Sequence, residues 1–229
     1  MTGRLVLTHH LQVNSYMQVD PDSFVIKRRR KKYKFALFAN SPLCFELDEW
    51  KKQTVDVVEL GAGSALFSVE LATRHPDQRF VAVDVKADRL QKGAREAEIR
   101  GLTNIRFIRA RADQLGEIVP EHTLAALWLT FPDPFPKKRS AGRRMTHPGF
   151  LGLYENILRA DGTFCLKHDN RDFFHWSLEQ LVAEKWRADE LSFDLHDSNL
   201  PDDYKILTTY EQRWLEEGFT TNFVRAIKP

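Results

Sequence analysis

Two hydrophobic periodicities alternate along most of the chain, and together they predict strands interleaved with helices. Short apolar runs rich in β-branched residues predict strands at residues 55–60, 80–85, 104–110, 124–131, 162–167, 192–195 and 221–227. Apolar residues at helical spacing predict helices at residues 66–75, 88–100, 148–158 and 173–186. Thr146 is a candidate cap for the third helix, and Pro148 falls in its first turn.

The alternation of strands and helices predicts an α/β fold, with a mainly parallel seven-stranded sheet and helices on both faces. Ligands of such sheets bind beyond the carboxyl ends of the strands, near the point where the strand order reverses. We therefore expect one crevice to be lined by the loops that follow Leu60, Asp84, Ala110, Phe131 and Lys167.

Positive charge is concentrated in two short segments of a chain whose net charge is only +2. Residues 27–34 (KRRRKKYK) hold seven basic residues and residues 137–144 (KKRSAGRR) hold five, with no acid in either. The rest of the chain therefore has a net charge of −10. Either run alone fits a solvated face equally well, but two runs on an acidic body indicate a localised site for a polyanion.

The composition also disfavours several classes of protein. No apolar run approaches the length of a membrane-spanning helix, and residues 1–16 lack the apolar core of a signal peptide. Cys44 and Cys165 lie far apart, and neither they nor the eight histidines show metal-ligand spacing. We therefore expect a cytoplasmic protein without a disulfide or a metal. A monomer and a homodimer both stay open.

The loop after the first predicted strand has the features of a nucleotide-cofactor site. Residues 59–64 (ELGAGS) contain two glycines, which let a strand turn sharply and let a ligand approach the backbone, although a tight turn without a ligand would look the same. Asp84 ends the second strand, where an acid can hold both hydroxyls of a ribose. Glu59 would repel a pyrophosphate, and Leu66 stands where a dinucleotide fingerprint needs glycine, so a nicotinamide oxidoreductase is disfavoured.

An acid at the end of the first strand, two glycines after it, an acid ending the second strand and Asp113 after the third together resemble class I methyltransferases. The resemblance implies a Rossmann-like fold and S-adenosylmethionine as the cofactor. It assigns cofactor binding to Glu59, Gly61, Gly63, Asp84 and Asp113. Glu59 would face the cationic amino-acid part of the cofactor, directly or through a water, and Asp113 would lie near the adenine. A helix N-cap is the alternative for Asp113.

The loop after the fourth strand carries a more specific resemblance. Three prolines within residues 132–136 give this loop a rigid path. Residues 131–150 (FPDPFPKKRSAGRRMTHPGF) resemble the signature of bacterial tRNA (guanine-N7)-methyltransferases, and so do residues 167–170 (KHDN), 194–196 (DLH) and 208–213 (TTYEQR). Ser64 and His168 depart from the family pattern.

This second resemblance implies transfer of a methyl group to N7 of a guanine in tRNA, by analogy guanine 46 of the variable loop. Asp133 would be the catalytic residue at the junction of cofactor and base, and would also contact the cofactor. Four residues would contact the substrate: Lys137, Asp169, Thr208 and Glu211. We expect the basic runs to contact tRNA phosphates through Arg28, Arg29, Arg30, Lys138, Arg139, Arg143 and Arg144.

Other interpretations stay open at this point. Thr208 and Glu211 have the spacing of a capping box, and Asp169 could cap the following helix. An amino-group methyltransferase would carry two adjacent prolines after the acid, where this chain has Asp133-Pro134-Phe135. A non-catalytic RNA-binding protein with a methyltransferase fold is a third possibility. We expect a basic, partly irregular extension at residues 1–53 and a methyltransferase domain at residues 54–229.

Overall fold

A single eight-stranded sheet organises residues 18–229, which are the residues that the computed structural model describes. The expectation of no signal peptide and the first part of the predicted extension fall on residues 1–17, outside the described residues. The strands are β1 (Cys44–Glu46), β2 (Val57–Leu60), β3 (Phe80–Asp84), β4 (Ile105–Arg109), β5 (Leu124–Thr130), β6 (Leu158–His168), β7 (Arg187–Ser192) and β8 (Asn222–Ile227).

The strand order across the sheet is β1-β4-β3-β2-β5-β6-β8-β7. Strand β8 runs antiparallel to both of its neighbours, β6 and β7, and the other pairs are parallel. The α/β fold is therefore as predicted, but the expected number of seven strands is wrong. The eighth strand is β1, which pairs with β4 at one edge and comes from the segment predicted to be irregular.

The last part of the sheet corrects a second prediction. The strand expected at residues 192–195 is instead β7, which ends at Ser192. Most of β7 is exposed, because it is an edge strand whose polar sequence (RADELS) has no apolar run. Strand β6 begins at Leu158, before the predicted residue 162, with an irregularity where it pairs with β5.

Seven α-helices among the described residues cover the sheet. They are α1 (Arg29–Ala39), α2 (Leu66–Arg74), α3 (Ala87–Ile99), α4 (Leu115–Ile118), α5 (Pro148–Ile157), α6 (Arg171–Ala183) and α7 (Thr209–Glu216). The four predicted helices correspond to α2, α3, α5 and α6. The cap of α5 is His147, whose side chain accepts from the backbone N–H of Gly149, and not Thr146, whose buried hydroxyl contacts Ser177.

Each face of the sheet has its own hydrophobic core. In β3, Val81 and Val83 belong to one core, whereas Phe80 and Ala82 belong to the other. This alternation follows from the two-residue period of a strand, and it explains why the central strands are apolar at nearly every position. No helix within residues 18–229 is long and apolar enough to cross a membrane.

The basic helix α1 packs against α3, on the face that holds the second core. Its residues Ala36 and Phe38 are buried, while Arg29 and Arg30 in its first turn are exposed. Strand β1 therefore belongs to the same sheet as the strands after residue 53, and α1 packs on that sheet through α3. The division at residue 53 stays a prediction.

Candidate active site

Two adjoining cavities lie at the carboxyl ends of the parallel strands, where the sequence predicts a crevice. Their volumes are about 530 Å³ and about 200 Å³. Both are lined by Gly61, Arg89, Phe131 and Asp133, so they form one continuous site. The combined space lies in the range of ordinary cofactor and ligand pockets. Loops after β2, β3, β4 and β5 contribute to it.

The glycine loop after β2 is shaped for close approach by a ligand. Gly61 and Gly63 have φ angles of +74° and +56°, which favour glycine. A Cβ added to Gly61 would lie 3.3 Å from Cε of Met145, whereas one added to Gly63 would meet nothing within 4 Å. The backbone at Gly63 therefore borders open space, as a site for a bound cofactor requires.

Asp84 holds this loop in position from the end of β3. Its Oδ2 accepts a hydrogen bond from the backbone N–H of Gly63 at 2.9 Å, and its Oδ1 accepts one from the backbone N–H of Lys86 at 2.8 Å. The carboxylate lines the smaller cavity. The predicted acid is thus at the expected place, with its orientation fixed by two backbone donors.

Glu59 is a buried carboxyl group at the wall of the larger cavity, with only 2% of its surface exposed. Its oxygens accept hydrogen bonds from the hydroxyls of Ser68 and Thr130, each at 2.5 Å. Burial raises the pKa of Glu59 to about 7, against the opposing effect of these hydrogen bonds and of nearby Lys167. Ser68 and Thr130 were not predicted from the sequence.

Asp113 does not line either cavity, although its neighbour Ala112 lines the smaller one. It is exposed and forms an ion pair with Arg111, whose Nε lies 3.0 Å from Oδ1. The N-cap alternative for Asp113 is wrong, because Arg111 occupies the cap of the short 3-10 helix Ala112–Gln114. A role for Asp113 at the adenine stays a prediction.

The Pro-rich loop after β5 presents Asp133 to solvent where the two cavities meet. Phe131 and Phe135 on either side have φ angles of +52° and +40°, which are unfavourable for residues with a side chain. The loop is held by Arg144, which donates to the carbonyls of Pro134 and Phe135 at 3.1 Å each. The local conformation that exposes Asp133 is therefore imposed by surrounding contacts.

Arg144 was predicted to bind phosphate, which stays a prediction, and its guanidinium also has contacts within the protein. Its guanidinium is half-buried, serves the two loop carbonyls and lies 4.3 Å from the ring centre of Trp176. Arg143 is exposed and lies 4.3 Å over the ring of Phe135. Lys137, Lys138 and Arg139 are exposed in or next to the 3-10 helix Lys138–Arg143, outside both cavities.

Glu211 was predicted to contact substrate, but it is 1% exposed. Lys167 Nζ lies 2.8 Å from its Oε2, while Nε2 of His196 lies 2.7 Å from its Oε1. The capping box proposed as the alternative is present: the N–H of Glu211 donates to the Thr208 hydroxyl, and the N–H of Thr208 donates to Glu211. Glu211 therefore positions the segment, and Thr208 is the member of the pair that lines the cavity.

Tyr210 lines the larger cavity and was not among the predicted site residues. Its side chain is 47% exposed, its ring centre lies 5.3 Å from that of Phe131, and its hydroxyl donates to Asp169 at 3.4 Å. Asp169 is half-buried and does not cap α6, because Asn170 does so by accepting from the N–H of Phe173. The aromatic residue between Thr208 and Glu211 was the available signal.

His168, a departure from the family pattern, links two loops of the site. Its Nε2 donates to the carbonyl oxygen of Pro132 at 2.9 Å, and its Nδ1 accepts from the N–H of Asn170 at 2.8 Å. Its Nδ1 also lies 3.2 Å from Oδ1 of Asp169, so the imidazole contacts a carboxylate of the site as well as two backbone groups. Within residues 18–229, no group of three or more His, Cys, Asp or Glu side chains is arranged to hold a metal.

Comparison with known proteins identifies the family. A family model with the description "Putative methyltransferase" matches residues 53–223. The tRNA (guanine-N7)-methyltransferase of Brevibacillus brevis is 36% identical over 188 residues, which cover 80% of this chain and 87% of that protein. The enzyme of the same name from Geobacillus kaustophilus is 33% identical, covering 75% of this chain and 78% of its own. The chain belongs to the tRNA (guanine-N7)-methyltransferase family.

Membership of the tRNA (guanine-N7)-methyltransferase family confirms the resemblance drawn from residues 131–150 and excludes the oxidoreductase alternative. The fold agrees with this assignment. The crystal structure of the 16S rRNA methyltransferase KamB superposes with a TM-score of 0.58 at 15% sequence identity, covering 80% of this chain and 90% of that chain.

The methyltransferase should lose stability as pH rises through the range in which Glu59 ionises. The unfolded chain ionises this group near its ordinary pKa of 4.5 and the folded chain near 7, so the folded state binds more protons between these values. We expect the free energy of unfolding to fall by about 3 kcal/mol from pH 4.5 to pH 7.5 through this group. Urea denaturation at both pH values should show a smaller fall in Glu59→Gln.

Glu117→Gln is the matched control for this measurement, because Glu117 is exposed in α4 and lies outside both cavities. Its pH dependence should equal that of the wild type. An equal fall in Glu59→Gln and in the wild type would contradict the assignment of the titration to Glu59.

Proposed function

We propose that this protein transfers a methyl group from S-adenosylmethionine to N7 of a guanine in tRNA. The observation that carries the proposal is the exposed carboxylate of Asp133 at the junction of two cavities, in a chain of the tRNA (guanine-N7)-methyltransferase family. The target by analogy is guanine 46 of the variable loop. The cytoplasm is the proposed location.

The cofactor is proposed to be held by the loops after β2 and β3. The open space beside Gly63 at the larger cavity and the fixed carboxylate of Asp84 at the smaller one suit a nucleoside cofactor that extends across both. Glu59 would provide negative charge beside the cationic end of the cofactor. The cofactor supplies the methyl group on a sulfonium, which an unprotonated ring nitrogen can attack.

The reaction asks little acid–base chemistry of the protein. N7 of guanine has a free lone pair at neutral pH, so no residue must remove a proton, and the enzyme's work is alignment and electrostatic support. Positive charge develops on the base as N7 is methylated. Asp133 would stabilise that charge, and Asp133 or Asp169 would accept hydrogen bonds from the N1 and N2 edge of guanine. Tyr210, which contacts Phe131, would provide a face for the base.

The proposed function is tested by the identity of the product. The purified protein would be incubated with unmodified bulk tRNA and methyl-labelled S-adenosylmethionine. The modified nucleoside would then be identified by mass spectrometry. We expect 7-methylguanosine. N6-methyladenosine would support the amino-group alternative, and cofactor binding without transfer would support a non-catalytic RNA-binding protein.

The basic start of α1 should contribute to tRNA affinity through phosphates. Arg28, Arg29 and Arg30 are exposed, and their side chains form no ion pair within residues 18–229. Replacing all three by glutamine should weaken tRNA binding. The slope of log affinity against log salt concentration should become shallower by about 0.7–0.9 for each phosphate that is no longer neutralised. Fluorescence anisotropy with labelled tRNA at several salt concentrations measures both. An unchanged slope would mean that these three arginines face solvent and do not contact tRNA phosphates.

A further inference from the structure

The outer wall of the larger cavity is formed by two helices that the proposed chemistry does not use. Lys34 of α1 and Arg89 and Lys92 of α3 line this cavity, as do Asp133 and Tyr210. Each of the three has a cationic side chain, and none of these side chains forms a hydrogen bond or an ion pair with a group that the structure describes within residues 18–229. Asp88 is the one acid of α3 at this wall.

The packing of α3 explains why these cations border the site. Gly93 lies so close to the glycine loop that an added Cβ would be 2.6 Å from the carbonyl oxygen of Ser64. Helix α3 therefore meets the cofactor loop through Gly93, and its previous residue, Lys92, stands at the cavity. Arg89 and Lys92 are three residues apart and share one helix face.

The packing of α1 against α3 brings a second source of positive charge to the same wall. Lys34 shares a helix face with Arg30 and Lys31, which are four and three residues before it, and both are exposed. The basic run therefore continues from the protein surface into the wall of the cavity. The backbone of a nucleic acid carries a negative phosphate on each side of every base. A row of positive side chains that ends at the cavity would neutralise the phosphates that enter with the reacting base.

Resting on the proposed function, we infer that Lys34, Arg89 and Lys92 bind the phosphates next to the target nucleotide of tRNA. The second large cavity along this side gives the path a continuation. It has a volume of about 630 Å³, lies between α2 and α3, and shares Leu66 and Lys92 with the first. Its other cations already have partners: Arg74 and Arg100 pair with Glu70, and Lys205 donates to the carbonyl oxygen of Ser198. Lys92 is the cation at the point where the two cavities meet.

The test replaces all three cations by glutamine (Lys34→Gln, Arg89→Gln and Lys92→Gln) and compares tRNA binding, kcat, KM and cofactor affinity. We expect the Kd and KM for tRNA to rise about tenfold or more and the salt slope to fall by about 2 to 3, since three phosphates are no longer neutralised by the protein. Because Arg89 also lines the smaller cavity, the cofactor comparison uses the double variant Lys34→Gln and Lys92→Gln, whose residues line only the larger of the two. Its kcat at saturating tRNA and its Kd for S-adenosylmethionine should stay within about twofold of the wild type.

The matched control removes the same charge from the other end of the sheet. Lys51, Lys52 and Arg187 are exposed; Lys51 borders Phe80 and Asn104 near the start of β3 and β4, and Arg187 begins β7. Their triple glutamine variant should bind tRNA like the wild type.

An unchanged Kd for tRNA in the Lys34–Arg89–Lys92 variant would overturn the inference. A weakened Kd for S-adenosylmethionine with unchanged tRNA binding would also overturn it, because the cations would then serve the cofactor's carboxylate. Binding is measured by anisotropy without turnover. Failure of the wild type to form 7-methylguanosine would therefore refute the proposed function while leaving this comparison readable.

Discussion

Replacing Asp133 by asparagine is expected to lower kcat by about 10²–10³-fold while leaving the affinities for tRNA and cofactor nearly unchanged. The side chain is exposed and lines both cavities, so it lies beside the spaces proposed for the base and for the cofactor. Its negative charge matters most when positive charge develops on the methylated base. Asparagine keeps the shape and one acceptor oxygen but removes that charge, so the loss falls on the transition state.

Single-turnover transfer of labelled methyl groups measures this prediction, with the Kd for each ligand determined separately. Asp77→Asn is a matched control, because Asp77 is exposed in the turn before β3, at the opposite end of the sheet. Equal turnover in Asp133→Asn and the wild type would remove Asp133 from the mechanism. A large rise in the Kd for tRNA with normal kcat would make it a binding residue instead.

The sequence predicts the central strands well because burial on both faces leaves a continuous apolar signal. Strands β2, β3 and β5 have nearly every residue buried, and each was predicted at its place. The edge strands have no such signal. Strand β1 has only three residues, none of them fully buried, and β7 is mostly exposed. Their positions depend on pairing with β4 and β8, which are distant in sequence.

The positions of the site residues follow from the same logic, but their partners do not. Gly61, Gly63, Asp84 and Asp133 lie at or within three residues of the carboxyl ends of strands, so the strand-end rule brings them together before any contact is known. The hydrogen bond from Thr130 to Glu59 joins residues that meet only because β2 lies beside β5, with Glu59 opposite Trp128. No local pattern encodes that neighbour.

Charged residues were the hardest to assign, because sequence does not distinguish a charge on the surface from a charge used inside the protein. Arg144 lies in a basic run, yet its guanidinium holds loop carbonyls. Glu211 lies in a motif of the family, yet it is buried and paired with Lys167. In both cases the side chain supports a neighbour that reaches the cavity: Asp133 for Arg144, and Thr208 for Glu211.

A buried ion pair between Lys167 and Glu211 connects β6 to the segment that carries Thr208 and Tyr210. Both side chains are almost fully buried, and Lys167 also donates to the carbonyl oxygen of Ile206 at 2.9 Å. Burial raises the pKa of Glu211, but His196 and Lys167 outweigh that effect and hold it below its usual value, so the carboxylate stays charged. The position of Thr208 and Tyr210 at the larger cavity therefore depends on the buried charge of Glu211.

Replacing Lys167 by methionine is expected to reduce the free energy of unfolding by about 3–5 kcal/mol, because it leaves the Glu211 carboxylate buried without its cation. Urea denaturation at pH 7 measures the loss, and Lys185→Met, a change at an exposed lysine after α6, is the matched control. Adding Glu211→Gln to Lys167→Met should recover part of the loss, since the unpaired charge is then gone.

The double variant separates stability from positioning. It should fold more stably than Lys167→Met but keep a raised KM for tRNA, because the Ile206 carbonyl is left without its donor and the Thr208 cap without its charged partner. A loss below about 1 kcal/mol in Lys167→Met would mean that the pair contributes no more than an ordinary surface ion pair. Full recovery of KM in the double variant would show that packing alone, without the buried charges, places Thr208 and Tyr210 at the cavity.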